Sequence, residues 1–171
     1  MNRRELVKSV VVGGGAAVAA RSQQKADSWK PLFFDPHQNE TVVALTDLII
    51  PATDTPGAKA AQVNRHIDLL LNDGPVEAQR RFLRGLAWLD GYALRLHRAP
   101  FVNCSQEEQI ALLDSLDPSR KPPEDLREGA RFFQDIKRRT VSGYYTSKIG
   151  YEELNKGGRV PASFGCPHEA H

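Results

Sequence analysis

The sequence predicts an all-α protein: a single orthogonal bundle of about five helices followed by an irregular C-terminal tail. Three observations carry this. In successive segments apolar residues recur three and four positions apart, the period of one helix face. Prolines, glycines and capping residues fall at the borders of those segments, where helices start and stop. No stretch alternates apolar and polar residues for long enough to make a strand, and no internal repeat is present.

The chain begins Asn2-Arg3-Arg4-Glu5-Leu6-Val7-Lys8 after Met1, and a weakly apolar run extends from Val10 to Ala20. A charged head, a short apolar segment and a small-residue ending form the pattern of a secretory signal. The adjacent Arg3 and Arg4 point to the twin-arginine export route. Arg80-Arg81 and Arg138-Arg139 are also pairs, but neither has that position or that flanking run. The run is too short and glycine-rich for a permanent bilayer span, which takes about 20 apolar residues. Residues 1–20 are therefore expected to be a twin-arginine signal peptide, cleaved after Ala19 or Ala20, with a retained anchor as the alternative. A periplasmic protein follows from this expectation, with residues 21–34 as an irregular leader and residues 35–171 as one helical domain.

Within that domain, Asp35-Pro36-His37-Gln38 is a strong helix start. Asp35 can cap, Pro36 suits the first helical position, and Gln38 completes a capping box. Val42, Leu45, Leu48 and Ile49 share a face until Pro51, and Pro51 to Gly57 reads as a loop. Val63, His66, Ile67, Leu70 and Leu71 form the next amphipathic face, closed by Asn72-Asp73-Gly74. Pro75 opens the longest helix, with Phe82, Leu83, Leu86, Leu89, Ala93 and Leu96, ending before Pro100. Ser105 and Glu108 form another capping box ahead of Ile110, Leu112, Leu113 and Leu116. A fifth helix after Pro122-Pro123 carries Leu126, Phe133, Ile136 and Val141; beyond Gly143 the periodicity fades into the tail.

The formal charge of +2 comes from the N-terminal segment, where Arg3, Arg4 and Lys8 face Glu5 alone. The remainder is neutral, so nothing pulls it toward nucleic acid, and nucleic acid is disfavoured as a partner. Cys104 and Cys166, in a chain bound for an oxidising compartment, allow one disulfide or stand as two separate thiols. The ending Cys166-Pro167-His168-Glu169-Ala170-His171 can ligate zinc or copper, but a solvated terminus is the expected reading, with no metal. His66 is read as a hydrogen-bonded core or interface histidine rather than a base. No Cys-x-x-Cys-His haem site, nucleophile elbow or calcium-loop spacing is present, and Gly13-Gly14-Gly15 follows no strand. No catalytic, cofactor-binding or metal-binding residues are therefore assigned.

Two segments resemble a known family. One is Leu45 to Ala58, with Ile49-Ile50-Pro51-Ala52-Thr53-Asp54-Thr55-Pro56-Gly57-Ala58, followed by Val63 to Leu71. The other is Thr140 to Tyr151, with Gly143-Tyr144-Tyr145-Thr146-Ser147-Lys148-Ile149-Gly150 read as a loop. Together with the Gly165-Cys166 ending and the twin-arginine start, they resemble the gluconate 2-dehydrogenase subunit 3 family. The resemblance implies a non-catalytic small subunit that accompanies, helps mature and co-exports a large flavin-dependent oxidoreductase of the glucose–methanol–choline type. It implies FAD in that partner, none in this chain, and in some complexes a cytochrome c subunit. Tyr144, Tyr145 and Tyr151, read from the residues alone, are either a partner contact or a segment folded onto its own core. The competing reading is a stand-alone periplasmic enzyme or binding module, with a site near His66 or the C-terminal Cys/His cluster.

Overall fold

Helix-start chemistry read from the sequence is present in the structure, a computed structural model that describes residues 29–155. The Asp35 carboxylate accepts from the Gln38 backbone N–H at 2.8 Å, and the Gln38 side chain accepts from the Asp35 N–H at 3.1 Å. This reciprocal box opens α1, Pro36–Ile49, with Pro36 at its first position. Ser105 and Glu108 make the same arrangement at the start of α4, Gln106–Ser115. Between these lie α2, Val63–Asn72, and α3, Val76–His97; α5, Arg127–Tyr145, and α6, Lys148–Asn155, follow. Short 3-10 turns at Phe101–Asn103, Pro118–Arg120 and Glu124–Leu126 link the later helices. Among the described residues there are six α-helices and no strand, so the chain is an all-α bundle with one helix more than expected.

The sixth helix is a correction. Gly143, Tyr144 and Tyr145 belong to the last turn of α5, and Lys148, Ile149 and Gly150 to the first turn of α6. The segment read as a loop is thus a tight helix–turn–helix. Thr146 N–H reaches the Ser142 carbonyl at 3.1 Å, and the Ser147 hydroxyl accepts from Gly150 N–H at 3.1 Å, starting the new helix.

Helix α5 packs against α1, α2, α3 and α6, so its inner face is the centre of the core. Val42 and Leu45 of α1, Ile67 and Leu71 of α2, Phe82 and Leu89 of α3, and Ile136 of α5 are almost fully buried. Each such side chain contributes roughly 1.5–3 kcal/mol of burial. Helices α3 and α5 approach closely, each offering a gap for the other's ring. Phe132 occupies the space over Gly85, and the Trp88 indole occupies the space over Gly129. Phe82 meets Phe132 edge-on at 5.3 Å. A methyl group at either glycine would strike an aromatic ring and force the helices apart.

Several residues placed on apolar faces by periodicity lie at the outer edge: Leu70, Leu96, Ile110 and Val141 are each 45–50% exposed. Polar residues take inner positions instead. Thr41 and Thr140 are buried, and their hydroxyls donate to the His37 and Ile136 carbonyls at 3.0 and 2.8 Å. Gln109 donates to the Phe101 carbonyl at 2.8 Å. Among the described residues no buried side-chain nitrogen or oxygen lacks a partner.

Residues 31–34 are irregular but firmly held. The buried Asp68 carboxylate on α2 accepts the backbone N–H groups of Leu32, Phe33 and Phe34 at 2.8, 3.1 and 3.0 Å. Three donors on one carboxylate replace the ladder that an irregular segment lacks. Residues 21–28 of the leader and the signal with Arg3 and Arg4 lie outside the described residues, as do Cys166, His168 and His171.

Two consequences can be measured. Asp68→Ala removes the acceptor and strands three N–H groups, so unfolding free energy should fall by about 3 kcal/mol. Urea titration checks this, with faster proteolysis near Phe33 as the local sign. The second concerns His37, whose Nε2 lies 2.6 Å from Asp90 Oδ2, while Asp90 Oδ1 accepts from Phe101 N–H at 3.0 Å. The hydrogen bond to Asp90 raises the His37 pKa; burial opposes it, and the charges of Asp90, Asp35 and Glu40 add to it. The stability from this pair is therefore fully present below about pH 6.5, the ordinary histidine value. It is lost as pH rises through the higher folded-state pKa. The stability gap between wild type and His37→Gln should narrow as pH rises above about 6.5; a constant gap contradicts the account.

Candidate functional site

The two motif segments meet at the C-terminal end of α1. Ile50 caps the helix by donating to the Thr46 carbonyl at 3.0 Å, and Pro51, with no N–H to continue it, turns the chain away. The excursion closes where Ala58 N–H returns to the Ile50 carbonyl at 2.8 Å, with a tighter turn from Thr53 N–H to the Thr55 carbonyl at 3.0 Å. From α5 the Tyr144 hydroxyl donates to the Pro56 carbonyl at 2.7 Å, tying together residues 88 positions apart. Tyr144 is buried and Tyr145 meets its ring edge-on at 5.2 Å.

This junction leaves two open clefts. One, of 450 Å³, is walled by Ile49, Ile50, Pro51, Tyr144, Tyr145 and Leu154, with Thr53, Thr55 and Glu153 at its edge. The other, of 620 Å³, runs between α1 and α4 past Val43, Ala44, Leu48, Pro51, Val102 and Ile110, with Glu40, Asp47 and Lys59 among its polar residues. Pro51 borders both. Both have mainly apolar walls with a few polar groups at their edges.

Of the three tyrosines, Tyr144 serves the chain's own core, whereas Tyr145 and Tyr151 are 44% and 59% exposed. For Tyr144 the ring is buried and its polar tip is satisfied by the Pro56 carbonyl, the arrangement of a segment folded onto its own core. His66 is half-buried, with its ring against Gly143 beside Val63. A Cβ on Gly143 would come within 2.9 Å of His66 Cδ2, so the ring fills a packing gap. Cys104 is half-buried, and its Sγ donates to the Pro100 carbonyl at 3.4 Å. Burial first, then the charges of Glu108 and Asp90, pushes this thiol up, away from the reactive thiolate. Its disulfide candidate Cys166 and the C-terminal histidines lie outside the described residues. Among the described residues no group of three or more His, Cys, Asp or Glu side chains is arranged to hold a metal ion.

Sequence reasoning missed Asp68 and the pairs His37–Asp90 and His97–Glu108, the last at 3.2 Å. Only Asp68 left a trace, as a lone acid inside the apolar run Ile67 to Leu71.

Comparison with known proteins bears on the same span. A family model described as Gluconate 2-dehydrogenase subunit 3 matches residues 36–158, well over half of the chain. No curated protein and no solved structure matches it. The matched region starts at the first residue of α1 and takes in every described helix, including both segments that meet at Tyr144 and Pro56. The chain belongs to the gluconate 2-dehydrogenase subunit 3 family.

Proposed function

We propose that this protein is a non-catalytic small subunit that binds a large FAD-dependent dehydrogenase of the glucose–methanol–choline type. It helps that partner mature and carries it to the periplasm by the twin-arginine route. The substrate class is a sugar or sugar acid, oxidised at the partner's flavin, with a cytochrome c subunit as acceptor in complexes that have one. The observation that carries this reading is the family match across the whole described helical domain.

The physics of such an escort is specific. The twin-arginine route moves folded proteins, so a signal on one chain exports another only if the two stay bound through transport. That calls for a well-packed interface of about 800 Å² per partner anchored by a few large side chains. Tyr145, Tyr151 and Leu154 are exposed at the α5–α6 end and offer aromatic area with polar tips, the composition of interface centres.

Two measurements test this. With both subunits co-expressed, replacing Arg3 and Arg4 by lysines should strand both in the cytoplasm, as read by fractionation and flavin content. Periplasmic appearance of the large subunit at the wild-type level removes the escort role. Tyr145→Ala with Tyr151→Ala should weaken the purified complex by roughly 10- to 100-fold with the helical far-UV signal unchanged; unchanged affinity excludes these tyrosines as anchors.

A further inference from the structure

A separate cleft of 240 Å³ lies between α3 and α5, and its chemistry is charged. Gly85 and the Phe82 and Phe132 rings line it, together with Arg81, Arg84 and Arg131 and the acids Glu128 and Asp135. It sits where Gly85 presents no side chain beside the Phe132 ring.

The local charges do not balance. Asp135 is held by two other arginines, Arg138 and Arg139, the latter at 2.8 Å. Arg139 in turn lies 5.5 Å over the Phe82 ring. Arg81, Arg84 and Arg131 are exposed and make no ion pair with a described residue. Three uncompensated guanidiniums therefore converge from two helices on one concave spot, against Glu128 alone. Other exposed arginines, Arg80 and Arg98, likewise make no ion pair with a described residue, so what sets these three apart is that they line one cleft from two helices.

We propose that the Arg81–Arg84–Arg131 cleft is a docking site for carboxylate side chains of an acidic segment on the large dehydrogenase subunit. This rests on the subunit reading above and names the surface and chemistry by which the two chains meet. The planar guanidinium fork matches a carboxylate with two parallel hydrogen bonds, and three forks around one cleft accept more than one acid. A protein is favoured over a small free anion by solvation. Exposed guanidiniums bind an isolated anion weakly because water screens the pair, whereas a covering protein excludes water and strengthens it.

The geometry of α5 extends the surface. Arg131, Arg138 and Tyr145 recur every seven residues and are all exposed, so they lie along one side of the helix. From Arg131 to Tyr145 is roughly 21 Å at 1.5 Å per residue, within the span of one interface of standard size. The arginine cleft and the exposed aromatic end thus fit a single partner.

The test uses the full chain and the purified large FAD subunit, with binding kinetics measured at low and high salt. Reversing the cleft by Arg81→Glu, Arg84→Glu and Arg131→Glu together should weaken Kd about 100-fold or more, mainly through slower association, and flatten the salt dependence. Arginine-to-lysine replacement at the same three positions keeps the charge and loses the fork, so it should fall between wild type and reversal. Arg120→Glu, on a paired arginine outside the cleft, should bind like wild type. Wild-type affinity and salt slope in the triple reversal overturn the dock while the subunit reading stands. Absence of binding by the wild-type chain overturns both. Saturable, arginine-dependent binding of inorganic phosphate or gluconate that leaves complex formation untouched overturns the protein source in favour of a small anion.

Discussion

The close approach of α3 to α5 is the constraint from which most of this structure follows. Gly85 under Phe132 and Gly129 under Trp88 let two helices meet with aromatic rings in place of backbone-to-backbone spacing. With α5 drawn in this far, its inner face can serve α1, α2 and α6 as well as α3, and Ile136 and Thr140 are completely buried. One helix therefore spends an entire face on the core. Its other face, from Arg131 past Arg138 to Tyr145, is left to solvent. The same contact creates the shallow cleft beside Gly85, so core packing and surface chemistry have a common origin.

Asp68 solves a different problem. The segment before α1 has no helical or sheet partner, yet three of its consecutive N–H groups end on one buried carboxylate. Such a charge-assisted cluster exceeds the worth of the same number of neutral hydrogen bonds, and burial of the acceptor keeps water from competing. The clamp fixes where the chain enters the domain.

How much of this could be read in advance depends on the range of each interaction. Both capping boxes were legible because their partners are three residues apart, and Pro51 and Pro100 stop helices by chemistry internal to the residue. The width of the apolar stripe was legible, but not which edge is covered. That depends on where a neighbouring helix lies, and it separates buried Leu71 from exposed Leu70. Helix α6 was missed because Gly143 and Gly150 count as breakers locally. In the fold Gly143 is kept inside α5 by the His66 ring packed on it, and Gly150 by the closeness of the Tyr144 carbonyl. The motif segments were recognisable, but their junction rests on a Tyr144–Pro56 bond across 88 positions. His37–Asp90, 53 positions apart, was invisible for the same reason.

Charge shows the same difference between sum and arrangement. Apart from the N-terminal segment the sequence is neutral, which supplies no general attraction to polyanions. Neutrality in total nevertheless coexists with marked local asymmetry. Glu40 and Asp47 outnumber Lys59 in the cleft between α1 and α4, while Arg81, Arg84 and Arg131 outnumber Glu128 and Asp135 in the cleft between α3 and α5. At physiological salt charges are felt over about 8 Å, less than the thickness of a helix pair, so an approaching protein senses one patch and not the sum. Association is then steered by which face is presented. A subunit of this kind can be indifferent to most anionic surfaces and still orient one partner.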